Sequence, residues 1–298
     1  MRWKRSGRGG VFSAIRWLVI LSAAAVCGLP PVQTSSQAGG RLAPPPSPQR
    51  IICASPAIGE MVFALGAQER VVGVSAFSEF PPAIQAKPVF GSALEPNRER
   101  LLRLKPDLIL AQGKSAALAE FAQAHGMAFL SYPLDSVADI RAAIRGIADV
   151  LGAEAEAARL LRELEEALAA PAPETAVPVF IALGHSPGDF SALMTAGPGT
   201  FLDEWVTLAG GSNIFSDVAA PWPPISLEVL IRRNPVVILD LQHAPPSVAE
   251  QQALRADWER MGFGKERIRL LSEAALLRPG VRMAKALQAL RAALHSSE

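Results

Sequence analysis

From Arg50 onward, short unbroken apolar runs alternate with stretches whose apolar positions recur at helical spacing. The runs are RIICA (50–54), VVGVS (71–75), DLILA (107–111) and MAFLS (127–131). A strand covered on both faces needs apolar residues at every position, whereas a surface helix needs them on one stripe. These runs therefore predict buried strands. Between the first two, Pro56 to Leu65 predicts a helix, with Ser55 as N-cap, Pro56 at the first helical position and Gly66 as stop. Strand–helix–strand alternation predicts a parallel sheet covered by helices, an α/β fold.

The pattern changes after residue 135. Val137 to Leu151 predicts one amphipathic helix, and Glu154 to Ala170 a second, with Leu160, Leu161, Leu164 and Leu168 on one stripe. At 1.5 Å per residue the second is roughly 25 Å long, long enough to bridge two lobes as a stiff strut. The strand pattern then resumes at Val179 to Leu183. The two halves also share sequence: NRERLLRLKPDLIL (97–110) aligns without a gap on SLEVLIRRNPVVIL (226–239), pairing Glu99 with Glu228 and Pro106 with Pro235. A weaker echo pairs EMVFALG (60–66) with EWVTLAG (204–210). The expected organisation is two similar Rossmann-like lobes, 50–135 and 176–298, joined through linking helices at 136–175, one of them long.

Composition narrows the class. Of 298 residues, 50% are hydrophobic and 19% charged, which excludes disorder over most of the chain. The net charge of +1 is unevenly placed. Arg2, Lys4, Arg5, Arg8 and Arg16 precede residue 29 with no acid among them, which leaves 24 basic against 28 acidic side chains in the body. A mildly acidic body has no electrostatic footprint for nucleic acid. The basic start, followed by the apolar run Trp17 to Cys27, reads as an export signal over residues 1–28, so that the mature chain is exported. Cys27 admits lipid attachment after cleavage; Val26 before it, where a small residue is usual, argues for plain cleavage instead. Residues 29–49, rich in Pro, Ser, Gln and Gly, read as a tether. Two cysteines make neither a disulfide framework nor a zinc cluster, and Cys53 reads as a small buried hydrophobe.

Catalytic signatures are missing: there is no G-x-S-x-G, Walker loop, H-E-x-x-H or G-x-G-x-x-G after a strand. His125, His243 and His295 read as surface residues. His185 directly follows the run Val179 to Leu183, and in parallel α/β sheets the carboxyl ends of strands open on the ligand crevice. Its imidazole reads either as a loop residue or as a group facing a metal or polar ligand. Aromatics gather at similar strand ends: Phe77 and Phe80, Tyr132, Phe190, and Trp222 in APWPP. Together they would form the apolar walls of a pocket for a flat ligand.

The order SPAIGEMVFALGA, VVGVSAFSEFPP, EPNRERLLRLKPDLILA, LAGGSNIFSD, APWPPISLEVLIRRNPVVIL and LLRPGVRMAKAL resembles the periplasmic substrate-binding proteins of ABC importers for cobalamin, ferric siderophores and haem. These form the helical-backbone metal receptor superfamily, and the resemblance, over about residues 50–295, is greatest to its cobalamin-binding members. It implies two α/β lobes on one long helix, little hinge closure, and a metal chelate held between the lobes and delivered to an ABC permease with its ATPase. It implies no intrinsic cofactor, no enzymatic activity and a monomer. By position, Phe77 and Trp222 match aromatics that contact the corrin, and Arg278 matches an arginine before the last helix. Two stacking tryptophans of the cobalamin binders are replaced by Ala93 and Gln112, which leaves a haem or ferric-siderophore ligand as the alternative. Phe80, Phe190, Gln112 and His185 complete the candidate ligand-binding set, with His185 the candidate axial ligand. Glu99 and Glu228 match the glutamates that meet permease arginines. A carboxylate in the first turn of a helix is also stabilised by the helix dipole by roughly 0.3–1 kcal/mol, which by itself accounts for both. The alternative from another class is a periplasmic tetrapyrrole chelatase using His185 with Asp189 or Glu79.

Overall fold

The computed structural model describes residues 43–169 and 175–295. The expected export signal, Cys27 and most of the expected tether lie outside the described residues.

The first half builds β1 (Ile51–Cys53), α1 (Pro56–Ala64), β2 (Val71–Val74), α2 (Arg98–Leu104), β3 (Leu108–Gln112), α3 (Ala116–Ala124) and β4 (Ala128–Tyr132). All four strands run parallel in the order β2-β1-β3-β4. Two helices follow, α4 (Val137–Leu151) and α5 (Glu154–Ala169). The second half builds β5 (Val177–Leu183), α6 (Phe201–Leu208), β6 (Gly211–Asn213), α7 (Leu227–Arg233), β7 (Val237–Leu241), α8 (Val248–Arg260), β8 (Ile268–Leu271) and α9 (Met283–His295). Its sheet, β6-β5-β7-β8, is again parallel and repeats the first order. The expected fold, two α/β lobes with a single long helix leading from one to the other, is what forms.

Local sequence explains the element ends. The Ser55 hydroxyl caps α1 by accepting from the Ile58 amide, and Ser136 with Asp139 closes a capping box on α4. Gly152, at φ 67°, ends α4 and lets the chain turn directly into α5. The sequence repeat extends to backbone detail: Lys105 and Asn234 end α2 and α7 in the left-handed region, both at φ 44°. Neither is glycine, so each closes its helix at a conformational cost.

Strand alternation sorts the core into layers. Ile51, Cys53, Leu108 and Leu110 of the first sheet, with Val179, Ile181, Val237 and Leu239 of the second, face one continuous apolar cluster that takes in α1, α4, α5, α6 and α9. The opposite strand faces, Ile52 and Ile109 in one lobe and Phe180 and Ile238 in the other, belong to two separate outer clusters. The lobes thus share a core, and opening them like a hinge would expose it to water at about 25 cal/mol per Å².

Candidate functional site

The expected site residues sit at or beyond the carboxyl ends of strands, where parallel sheets place their ligand crevices. Beyond β2, Phe77 is 78% exposed and held at φ 66°. A bulky residue at positive φ is strained, and such strain concentrates at ligand clamps. Its carbonyl accepts a 3.2 Å hydrogen bond from Nη2 of Arg278, which lies between β8 and α9 in the other lobe. The same Nη2 is 3.4 Å from Glu79 Oε2, and Nη1 is 3.5 Å from Glu60 Oε1. Glu60, on the buried face of α1, also holds Arg282 at two points of 2.7 Å. Arg282 in turn lies 4.4 Å over the ring of Phe80, a cation–π contact. Phe77, Glu79, Phe80, Glu60, Arg278 and Arg282 therefore form one junction between the lobes.

Trp222 is held by its neighbours' backbones. Gly197 N donates to Pro221 O at 2.8 Å and Thr195 N to Pro223 O at 3.1 Å, so the proline-rich segment runs as an extended strip along residues 194–197. A Cβ on Gly197 would come within 2.2 Å of Ala220 O, so this approach requires glycine. The indole is half-buried and lies 5.9 Å from the Phe201 ring. Exposed Met194 pairs with Pro224 in this strip. Gln112 ends β3 half-buried, opposite Tyr132, the last residue of β4. Tyr132 packs on α4 where Gly146 leaves room for its ring, and burial, aided by the charge of Asp149, pushes its phenol up to about 12. Leu94, 90% exposed at a tight turn beside Ala93, was not singled out in the sequence.

His185 does not face a ligand. The side chain is fully buried; Nδ1 is 2.6 Å from Asp240 and Nε2 is 3.2 Å from Asp257. With the side chain buried and a carboxylate at each ring nitrogen, neither nitrogen is turned to a ligand between the lobes, which corrects the expectation of an axial ligand. Phe190 packs beside His185, half-buried: its ring stacks on the imidazole at 4.4 Å and 4°, and it lies edge-on against Trp258, whose indole donates to Asp240. His185 is buried in the second lobe, and Phe190 covers it at the edge of that lobe's outer apolar cluster. Asp189 is turned aside as well, accepting from Ser191, which holds its carboxyl below the usual carboxylate range.

Glu99 and Glu228 occupy equivalent exposed positions on α2 and α7, 74% and 80% exposed at the side chain. Each pairs with an arginine one turn on, Arg103 at 2.6 Å and Arg232 at 3.4 Å. Among the charged groups that sequence reasoning missed, Glu60 and Asp240 carried a signal: each is an acid inside an otherwise apolar run, and a buried acid demands a partner.

Residues 51–266 match the periplasmic binding protein family. The vitamin B12-binding protein of Pectobacterium atrosepticum is 33% identical over 217 residues, 69% of this chain and 76% of that protein. The periplasmic haem-binding protein RhuT of Roseiflexus superposes with a TM-score of 0.70 at 27% identity, covering 83% of this chain and 98% of that one. The vitamin B12-binding protein BtuF of Vibrio cholerae shares the fold, with a TM-score of 0.69 at 23% identity over 83% and 96% of the two chains. These relatives bind ligands and are not enzymes, which sets aside the chelatase alternative. With the family model matched over residues 51–266 and a relative one third identical over more than two thirds of its length, this chain belongs to the periplasmic binding protein family.

Proposed function

We propose that this protein captures a metal chelate, cobalamin or a related corrinoid, between its lobes and delivers it to an ABC importer. The observation that carries the reading is the pairing of exposed Phe77 with Arg278 across the junction. One lobe supplies an apolar ring and the other a guanidinium, the two contacts that a flat chelate with a polar rim needs. Trp222 is the second apolar wall, Phe80 and Gln112 border the site, and the relatives named for vitamin B12 favour a corrinoid. Haem, the ligand named for other structural neighbours, is the second reading. It requires an axial donor; His185 is engaged on both sides and Tyr132 is packed against α4, so neither supplies one. A corrinoid brings its own axial groups.

Delivery rests on Glu99 and Glu228, whose equivalent positions suit a two-fold symmetric permease. Residues 1–28 act as the export signal to the periplasm and 29–49 as a tether, with the chain working as a monomer. The test is a thermal-shift screen with cyanocobalamin, haemin and ferric siderophores, followed by calorimetric titration. The expected outcome is the largest shift with cyanocobalamin, at one ligand per chain. A shift with haemin or a siderophore alone would overturn the corrinoid assignment.

A further inference from the structure

The polar wall of the junction is more particular than an arginine alone. Arg278 alone, with its side chain 19% exposed, would be a receptor for a carboxylate. Here both of its ends already face acids, Glu60 at 3.5 Å and Glu79 at 3.4 Å. Arg282 is largely committed already, since its Nε and Nη2 are engaged by Glu60 and one face is covered by Phe80. Two guanidinium groups thus stand against two carboxylates, and their formal charges cancel.

We infer that this wall selects a chelate whose rim carries uncharged carboxamides over one whose rim carries carboxylates, and that Glu79 sets the preference. The inference rests on the ligand lying between the lobes, as proposed above. A carboxamide satisfies both sides of the wall: its oxygen accepts from Arg278 while its NH2 donates to Glu79. A carboxylate can accept from Arg278 only by lying against Glu79 and near Glu60, where like charges repel. Glu60 cannot adjust, because it is buried and held at two points. Glu79 can, because its side chain is 67% exposed and its contact with Arg278 is long. It is therefore the acid free to turn toward a ligand.

Cyanocobalamin and the three monocarboxylic acids made by hydrolysing one of its propionamides differ by a single charge and almost nothing in shape. Their affinities for the wild type and for Glu79→Gln, measured by calorimetric titration, test the inference. In the wild type at least one of the acids should bind about tenfold more weakly than the amide, close to the size of one like-charge contact in a water-like dielectric, as suits an acid that is mostly exposed. In Glu79→Gln that ratio should fall to about threefold or less, with a melting temperature close to the wild type's. Equal wild-type affinity for all four compounds, or an unchanged ratio in the variant, overturns the inference and leaves the corrinoid reading standing. Binding of haemin with no binding of any corrinoid overturns that reading, and this inference with it.

Discussion

Glu60 and Arg282, 222 residues apart in the chain, meet through two 2.7 Å contacts, one to each carboxylate oxygen. The carboxylate sits on a helix of the first lobe, 3% exposed, and the guanidinium just before the last helix of the second. Its counterpart by sequence repeat, Glu204, does a related job: its Oε2 accepts at 2.6 Å from the Val137 amide at the start of α4. Each repeat therefore uses the same glutamate to tie its lobe to the rest of the molecule.

Removing one partner of a buried pair leaves the other uncompensated, which costs about 3–5 kcal/mol, whereas removing both costs less. Glu60→Ala should lower stability by about 3 kcal/mol, and Arg282→Met added to it should restore part of the loss. Urea unfolding of the two variants checks this. A single variant as stable as the wild type would mean that the pair contributes nothing to holding the lobes together.

Glu99 and Glu228 call for the opposite outcome. Both are exposed, and their pairs with Arg103 and Arg232 are surface i,i+4 contacts of about 0.3–0.5 kcal/mol. The double change to alanine should leave folding and ligand affinity as they are and slow ligand uptake by cells expressing the importer. Undiminished uptake would leave the helix-dipole account as the whole explanation of these two acids.

The single tyrosine permits a spectroscopic prediction. In the folded state burial pushes the Tyr132 phenol from 10.0 to about 12 and the Cys53 thiol from 9.0 to about 12. Between the unfolded and folded values the unfolded chain holds fewer protons, so stability falls as pH rises. Both groups' contributions are complete below about pH 9 and are lost progressively toward pH 12. Phenolate absorbance should therefore rise late in the native protein and near pH 10 in urea, with the urea midpoint falling across the same window. A native titration near pH 10 would place Tyr132 in water.

Much of this was legible in the residues because parallel strands buried on both faces leave nothing polar to obscure them. RIICA, DLILA and VVIL read as strands at once, and the gapless repeat gave the duplication. The left-handed helix ends at Lys105 and Asn234 were not legible, because neither is the glycine that usually marks such a turn. His185 misled for a different reason: its position at a strand end is right for a ligand, and only the fold brings Asp240 and Asp257 to its two nitrogens. The junction was half visible. Phe77 and Arg278 could be matched by motif, but no spacing rule connects Glu60 to an arginine in the other lobe.

Trp222 is where the functional reading is most exposed to test. The strip of hydrogen bonds from residues 193–197 fixes the backbone on both sides of the indole, so its ring is presented with little freedom to lose on binding. An aromatic of this size buries about 150–250 Å² when covered, worth several kcal/mol at about 25 cal/mol per Å² before the costs of association. Truncating a central contact of this kind costs about 2 kcal/mol or more, so Trp222→Ala should bind the best ligand roughly thirtyfold more weakly. The contact with Phe201 means the change also removes some packing within the lobe, which would mimic a weaker site if the fold loosened. Trp222→Phe separates the two: it keeps an aromatic ring in the strip and should recover most of the affinity, while both variants keep a cooperative melt. Calorimetric titration of the three proteins gives the answer. Equal affinity in wild type and Trp222→Ala would take the indole out of the binding site and leave Phe77 as the only apolar wall, too little for a corrin.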